Sequence, residues 1–193
     1  MHIKASRITN LTDARYFAAK EVEFLGFNLE EGTEGYLDPM YMKAIREWVQ
    51  GPLITGEFSR ASMPYVREAV DFFGLDAVQL GPGYATQLDQ LAGVPILLEA
   101  GDEQLADPDF FRKAAPFVRY FLVKTDAIEA SEDLKKICAG YPVLLQTNAR
   151  ASQLTAMLDA LQPAGLSLVG GEEEQVGVKS FDEIEEIFEA LGY

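Results

Sequence analysis

The stretch IKASRITNLTDA, residues 3–14, sets a serine and an arginine at the end of a short apolar run, just before a helix start. A hydroxyl at such a strand end acts as a nucleophile only if a base takes its proton. The sole histidine, His2, lies four residues before Ser6 in the same run, and residues that close in one strand do not meet as nucleophile and base. Lys4 shares a face with Ser6 by strand alternation. If that face is the interior of the fold, Lys4 needs an acidic partner. Glu57 and Glu99, each at the end of another apolar run, are the candidates. A satisfied internal ion pair is expected there rather than catalysis. Lys124 stands at a further run's end; a lysine there can bind a carbonyl or form a Schiff base, and a solvated residue at the mouth is the plainer reading. Glu172, Glu173 and Glu174 could hold a divalent cation, but three adjacent carboxylates on one loop rarely converge on one ion. A solvated loop is expected, and no metal site.

These residues need elements to position them. Eight short β-rich runs punctuate the chain, at 3–8, 24–28, 53–58, 76–80, 95–99, 119–124, 142–146 and 165–169. Each is apolar and bounded by turn residues, as buried parallel strands are. Helix signals fill the gaps. Thr12 can cap a helix at 13–20, and Asp38-Pro39 opens one at 39–50. Ser62 can cap 63–73, which Gly74 ends. A weaker helix is expected at 84–92, followed by helices at 108–116, 132–139 and 153–161. Ser180 with Glu183 forms a capping-box pattern for 181–191, where Ile184, Ile187, Phe188 and Leu191 make one apolar face. Phe72-Phe73 and Phe110-Phe111 are expected in the core, and Cys138 as a buried structural thiol.

Eight strands alternating with eight helices is the count of an α/β protein, a single-domain (β/α)8 TIM barrel spanning 1–193. A doubly wound open sheet is the alternative, but no Gly-rich phosphate fingerprint follows any strand. In such a barrel function sits at the C-terminal ends of the strands. That rule gathers Ser6, Arg7, Thr9 and Asn10 with Asn28, Glu30, Glu57, Ser59, Arg60, Gln79, Gly81, Glu99, Lys124 to Asp126, Gln146 to Asn148, Ser167 and Val169 to Glu173.

The totals bound the partners. The 193 residues carry a net charge of −15, which repels nucleic-acid backbones and small anions unless a local basic pocket overrides it. No apolar run approaches the ~18 residues of a membrane span. The first residues lack the apolar core of a signal peptide, and the single Cys138 excludes an internal disulfide. A cytoplasmic monomer or homodimer with no cofactor, no nucleic acid and no membrane is expected.

The run from Lys4 to Ala14, KASRITNLTDA, is similar to the K-(I/V)-C-G-(I/L)-T-N-x-x-D-A motif of the phosphoribosylanthranilate isomerase family. Further matches are LGF at 25–27, GLDAVQL at 74–80 and GVKSFDEI at 177–184, the last resembling the family's G-V-K-D-x-x-x-I ending. In this order they span essentially the whole chain. The resemblance implies a tryptophan-pathway barrel that converts an aminoaldose phosphate to an aminoketose by an Amadori rearrangement. It implies a cysteine as general base, an aspartate as general acid, an arginine on the anthranilate carboxylate, and glycine-rich loops on the phosphate.

Carried over residue by residue, that chemistry is largely absent. The cysteine falls on Ser6, and the glycine after it on Arg7. The general-acid aspartate falls on Val123, with Asp126 three residues on as a substitute acid. The arginine after strand two falls on Gly35, and the Gly-Gly after strand seven on Gln146-Thr147. The phosphate loop after strand eight falls on Ser167 to Glu173, leaving Gly170 and Gly171 as its glycines. Each lost acid or base costs about 10²–10⁴ in rate. The expected function is an isomerase-like protein that is not an efficient isomerase but a ligand-binding or interaction pseudoenzyme. The alternative is an active isomerase, or an enzyme on a different small substrate. Ser6 and Asp126 are the candidate catalytic residues, and Arg7, Asn10, Lys124, Gln146, Thr147, Gly170 and Gly171 the candidate binding residues.

Overall fold

A computed structural model describes residues 1–125, 131–169, 173–175, 178–179 and 181–192. The apolar runs become β1 (His2–Ser6), β2 (Phe24–Asn28), β3 (Leu53–Phe58), β4 (Ala77–Leu80), β5 (Ile96–Ala100), β6 (Tyr120–Lys124), β7 (Val143–Gln146) and β8 (Gly165–Val169). They pair in chain order, all parallel, and β8 returns to β1 to close a barrel. Closure needs tight contact at its seam. A Cβ on Gly165 would fall 1.9 Å from the His2 carbonyl oxygen, so only glycine lets β8 start there.

Strand alternation sorts each run into two faces. Outward side chains such as Ile3, Ala5, Leu25, Phe121 and Val123 form one large cluster with the helices. Inward ones at the strand starts, Phe24, Ala77, Leu97, Tyr120 and Leu144, form a separate apolar plug at the bottom of the barrel. His2 lies at that bottom, exposed, and pairs with Glu23, which also accepts from Arg119 at 2.5 Å. Above the plug the inward positions turn polar.

The helices are α1 (Leu11–Ala19), α2 (Pro39–Arg46), α3 (Met63–Phe73), α4 (Asp102–Leu105), α5 (Pro108–Ala114), α6 (Glu132–Gly140), α7 (Ala151–Leu161) and α8 (Asp182–Leu191). Ser62 and Ser131 cap α3 and α6, and Gly74 ends α3 in the left-handed region at φ 62°. The cap of α1 is Asn10, whose side chain accepts from Asp13 N at 2.9 Å; Thr12 lies inside the helix. Asn ranks above Thr as an N-cap, so the helix starts earlier. The Ser180 cap lies outside the described residues.

The spacing of helices differs from one per strand. No α-helix follows β4 among the described residues. Two 3₁₀ turns, Pro82–Tyr84 and Leu88–Leu91, stand where a helix at 84–92 was expected. Pro82 and Gly83 disfavour a continuous helix, and Tyr84 anchors the segment by donating from its hydroxyl to the Ala61 carbonyl at 2.5 Å. β5 is followed by both α4 and α5. A hairpin of β9 (Glu173–Gln175) and β10 (Val178–Lys179) precedes α8, so Glu173 and Glu174 belong to a strand rather than a loop; Glu172 lies outside the described residues. Phe111 is fully buried, but Phe72 is 66% exposed. Successive helical residues point about 100° apart, so Phe72 and Phe73 cannot both face the core.

Candidate functional site at the barrel mouth

The strand tops stand level. Register sets Asn28 beside Glu57, Glu57 beside Gln79, Lys124 beside Gln146, and Ser6 beside Val169. Above them opens a cavity of about 240 Å³ at the C-terminal end of the barrel. β1 contributes Ser6 and the following Arg7; β2 contributes Asn28, with Thr33 and Glu34 from its loop. β3 contributes Glu57 and Phe58, with Ser59 and Arg60 beyond it, and Gln79, Glu99, Lys124 and Gln146 complete the wall.

The floor is a buried polar chain. Lys4 Nζ lies 2.5 Å from Glu57 Oε1 and donates to Ser6 Oγ at 2.6 Å. Ser6 Oγ lies 2.8 Å from Ser167 Oγ, across the β1–β8 seam. Lys4 is completely buried, and burial pulls its pKa below the usual lysine value against the opposing pull of Glu57. Space for this pair comes from Gly26: a Cβ there would sit 2.0 Å from Glu57 Oε1 and 2.5 Å from Lys4 Nζ. The expected internal ion pair is therefore present, with Glu57 as the partner.

A second chain crosses the opposite wall. Gln79 Nε2 donates to Glu99 Oε1 at 2.5 Å, and Lys124 Nζ pairs with Glu99 Oε2 at 2.7 Å. A carboxylate accepts only, so the Gln79 nitrogen must face Glu99. Gln79 Oε1 then has no donor among the described residues and is closed to solvent. Lys124 is thus paired rather than merely solvated.

The rim is held from outside. Glu30 accepts from Ser59 N at 2.6 Å, Ser59 Oγ at 2.8 Å and Arg60 N at 2.9 Å. Burial would raise the Glu30 pKa, but these hydrogen bonds and the Arg60 charge win and hold it below the usual carboxylate range. Glu30 fixes the loop that carries Arg60. Arg7 has φ 55°, in the left-handed region that side chains other than glycine, asparagine and aspartate seldom adopt.

Of the candidate residues, the mouth gathers Ser6, Arg7, Lys124 and Gln146. Asn10 is not in the wall; it caps α1. Thr147 does not line the cavity, and its hydroxyl accepts from Ala149 N at 3.2 Å. Asp126, Gly170 and Gly171 lie outside the described residues. Sequence reasoning passed over Ser167 as a partner for Ser6 and Gln79 as a partner for Glu99. Alternation puts both on inward positions, but which strands face each other across a barrel is not written in a local pattern.

No protein-family model matches the chain. An N-(5'-phosphoribosyl)anthranilate isomerase from Maridesulfovibrio salexigens is 25% identical over 203 aligned positions, covering 98% of each chain. The phosphoribosylanthranilate isomerase structure from Thermus thermophilus superposes with a TM-score of 0.78 and 26% identity, over 100% of this chain and 98% of that one. Over its whole length the chain is similar to the phosphoribosylanthranilate isomerases. A structure of monomers of the dimeric Thermotoga maritima isomerase, 20% identical, has a TM-score of 0.79 with both chains fully covered.

Val123, where the resemblance implies the acid, packs outward in the core cluster. The residue of β6 that reaches the mouth is Lys124. Gly35, where the resemblance implies the carboxylate-binding arginine, takes φ 72° in the loop after β2. No described helix is long and apolar enough to cross a membrane.

Proposed function

We propose that this isomerase-like barrel binds a small molecule at its mouth without performing the isomerase reaction efficiently. The reading rests on Ser6. Where the resemblance implies a thiol base, this chain has a hydroxyl that accepts from Lys4 at 2.6 Å and bonds Ser167 at 2.8 Å. A cysteine thiol titrates near ~8.5 and yields a thiolate close to neutrality, whereas a serine hydroxyl needs a base to activate it. Lys4 is not that base. Paired with Glu57 at 2.5 Å, its ammonium donates to Ser6 Oγ at 2.6 Å instead of accepting from it. On the far wall a cation, Lys124, locked to Glu99, occupies the inward place on β6.

The role in tryptophan biosynthesis held by the isomerases would in that case not pass to this chain. The test is growth without tryptophan of a bacterium lacking phosphoribosylanthranilate isomerase, with turnover measured on the purified protein. No growth and no turnover from folded protein is the expected result. Growth, with turnover abolished by Ser6→Ala, would overturn it.

A further inference from the structure

The cavity's chemistry says what it would hold. Glu57 and Glu99 are each neutralised by a lysine, Lys4 from below and Lys124 from the wall. Neither the Arg7 nor the Arg60 guanidinium makes an ion pair with a described residue, and both line the cavity. Against them stands only Glu34 among the unpaired carboxylates of the described wall. Glu30, behind the wall, spends its oxygens on Ser59 and Arg60 N–H groups. Glu30, held below the usual carboxylate range partly by the Arg60 charge, counters that charge, so the described rim is close to balanced. Its two guanidiniums, neither bound to a described carboxylate, can close on one monoanion, whereas a phosphate dianion would bring twice the charge.

Apart from these charges the wall is nearly all hydrogen-bonding groups. Phe58 is its one apolar residue among those described, so an aromatic ring would find little surface to cover it, in contrast to the mostly apolar lining of ordinary ligand pockets. Gln79 adds a specific demand. Its buried Oε1 has no donor among the described residues, and a buried acceptor left so is costly. Its terminal torsion is soft, so a small tilt presents that oxygen to a hydroxyl in the cavity. A volume of about 240 Å³ equals roughly eight waters at ~30 Å³ each, and so a molecule of about that many non-hydrogen atoms.

We infer that the mouth binds a small polyhydroxylated monocarboxylate, a short sugar acid, with its carboxylate on Arg7 and Arg60 and a hydroxyl donating to Gln79. This assignment rests on the reading of the mouth as a ligand site that has lost the isomerase chemistry. Its preference for hydroxyls over an ammonium follows from the same pairing: the lysines already occupy the inner carboxylates.

The test is calorimetric titration of the full chain with L-threonate, D-erythronate and D-glycerate. Butyrate supplies the carboxylate without hydroxyls, erythritol the hydroxyls without the carboxylate, and inorganic phosphate the competing anion. At least one sugar acid should bind at least tenfold more tightly than each control. Arg7→Asn, which suits the left-handed backbone, and Gln79→Met should each weaken that binding tenfold or more, with unchanged thermal unfolding of the unliganded variants. Binding of butyrate or phosphate as tight as that of the sugar acids, or binding that survives both substitutions, would overturn the assignment, as would no binding by any sugar acid. Turnover of phosphoribosylanthranilate would instead overturn the underlying reading, whatever the sugar acids do.

Discussion

Lys4 Nζ and Glu57 Oε1 stand 2.5 Å apart inside the barrel, in the space that Gly26 leaves open between β1 and β3. Both charges are buried, so each depends on the other. Removing one partner of a buried pair costs about 3–5 kcal/mol, whereas replacing both by apolar groups is often close to neutral. Lys4→Met and Glu57→Leu should each lower stability by about that amount, and the double variant should recover most of it. Gly26→Ala should cost about 1–3 kcal/mol by overpacking the same space. Urea unfolding of the four variants checks this; additive losses in the double variant would contradict the coupling.

The outward packing of Val123 and the inward reach of Lys124 make opposite predictions for a restored acid. Val123→Asp puts a carboxyl into the apolar layer between barrel and helices and should destabilise the fold by about 3 kcal/mol or more, with no gain of isomerase activity. Lys124→Asp should fold, because its side chain opens to the cavity. Thermal unfolding of the two proteins separates them. A stable Val123→Asp variant would mean that β6 can present that position to the mouth.

Glu30 carries a pH signature. Its folded pKa lies below the ordinary 4.5, so the unfolded chain binds this proton more readily than the folded one. The stabilisation is therefore full above about pH 4.5 and is lost as pH falls through the folded value. Glu30→Gln should cost about 2 kcal/mol at pH 7, in line with hydrogen bonds to a charged group. The difference from the parent should shrink at pH 3. An equal difference at both pH values would remove ionisation from the account.

Cys138 is buried on α6, and burial pushes its thiol up to about 11. Little thiolate forms at neutral pH, so the thiol should react with a disulfide reagent only as fast as the chain opens. Reaction rates followed across a urea series should track unfolding. Rapid reaction of the native protein would place the thiol at the surface.

The sequence alone determined the barrel. Eight short apolar runs bounded by turn residues, with caps such as Ser62 and Ser131 between them, leave few other ways to bury so many strands on both faces. It also placed the resemblance, since Lys4 to Ala14 and the later motifs keep their order along the chain. It determined that Lys4 and Ser6 share a face, because alternation is a local property of an extended backbone. Tertiary structure decided the rest. Glu57 rather than Glu99 holds Lys4, because β3 lies two strands from β1, with only Gly26 of β2 between the two side chains. Ser6 meets Ser167 only because β8 returns to β1. The segment after β4 became 3₁₀ turns pinned by Tyr84 to Ala61, a contact across 23 residues that no local propensity encodes. The inward place on β6 belongs to Lys124 and not Val123, since one residue of register exchanges the two faces of a strand. Local pattern fixes what each element is; which side chains meet in the mouth depends on barrel closure, and closure is set by all eight strands together.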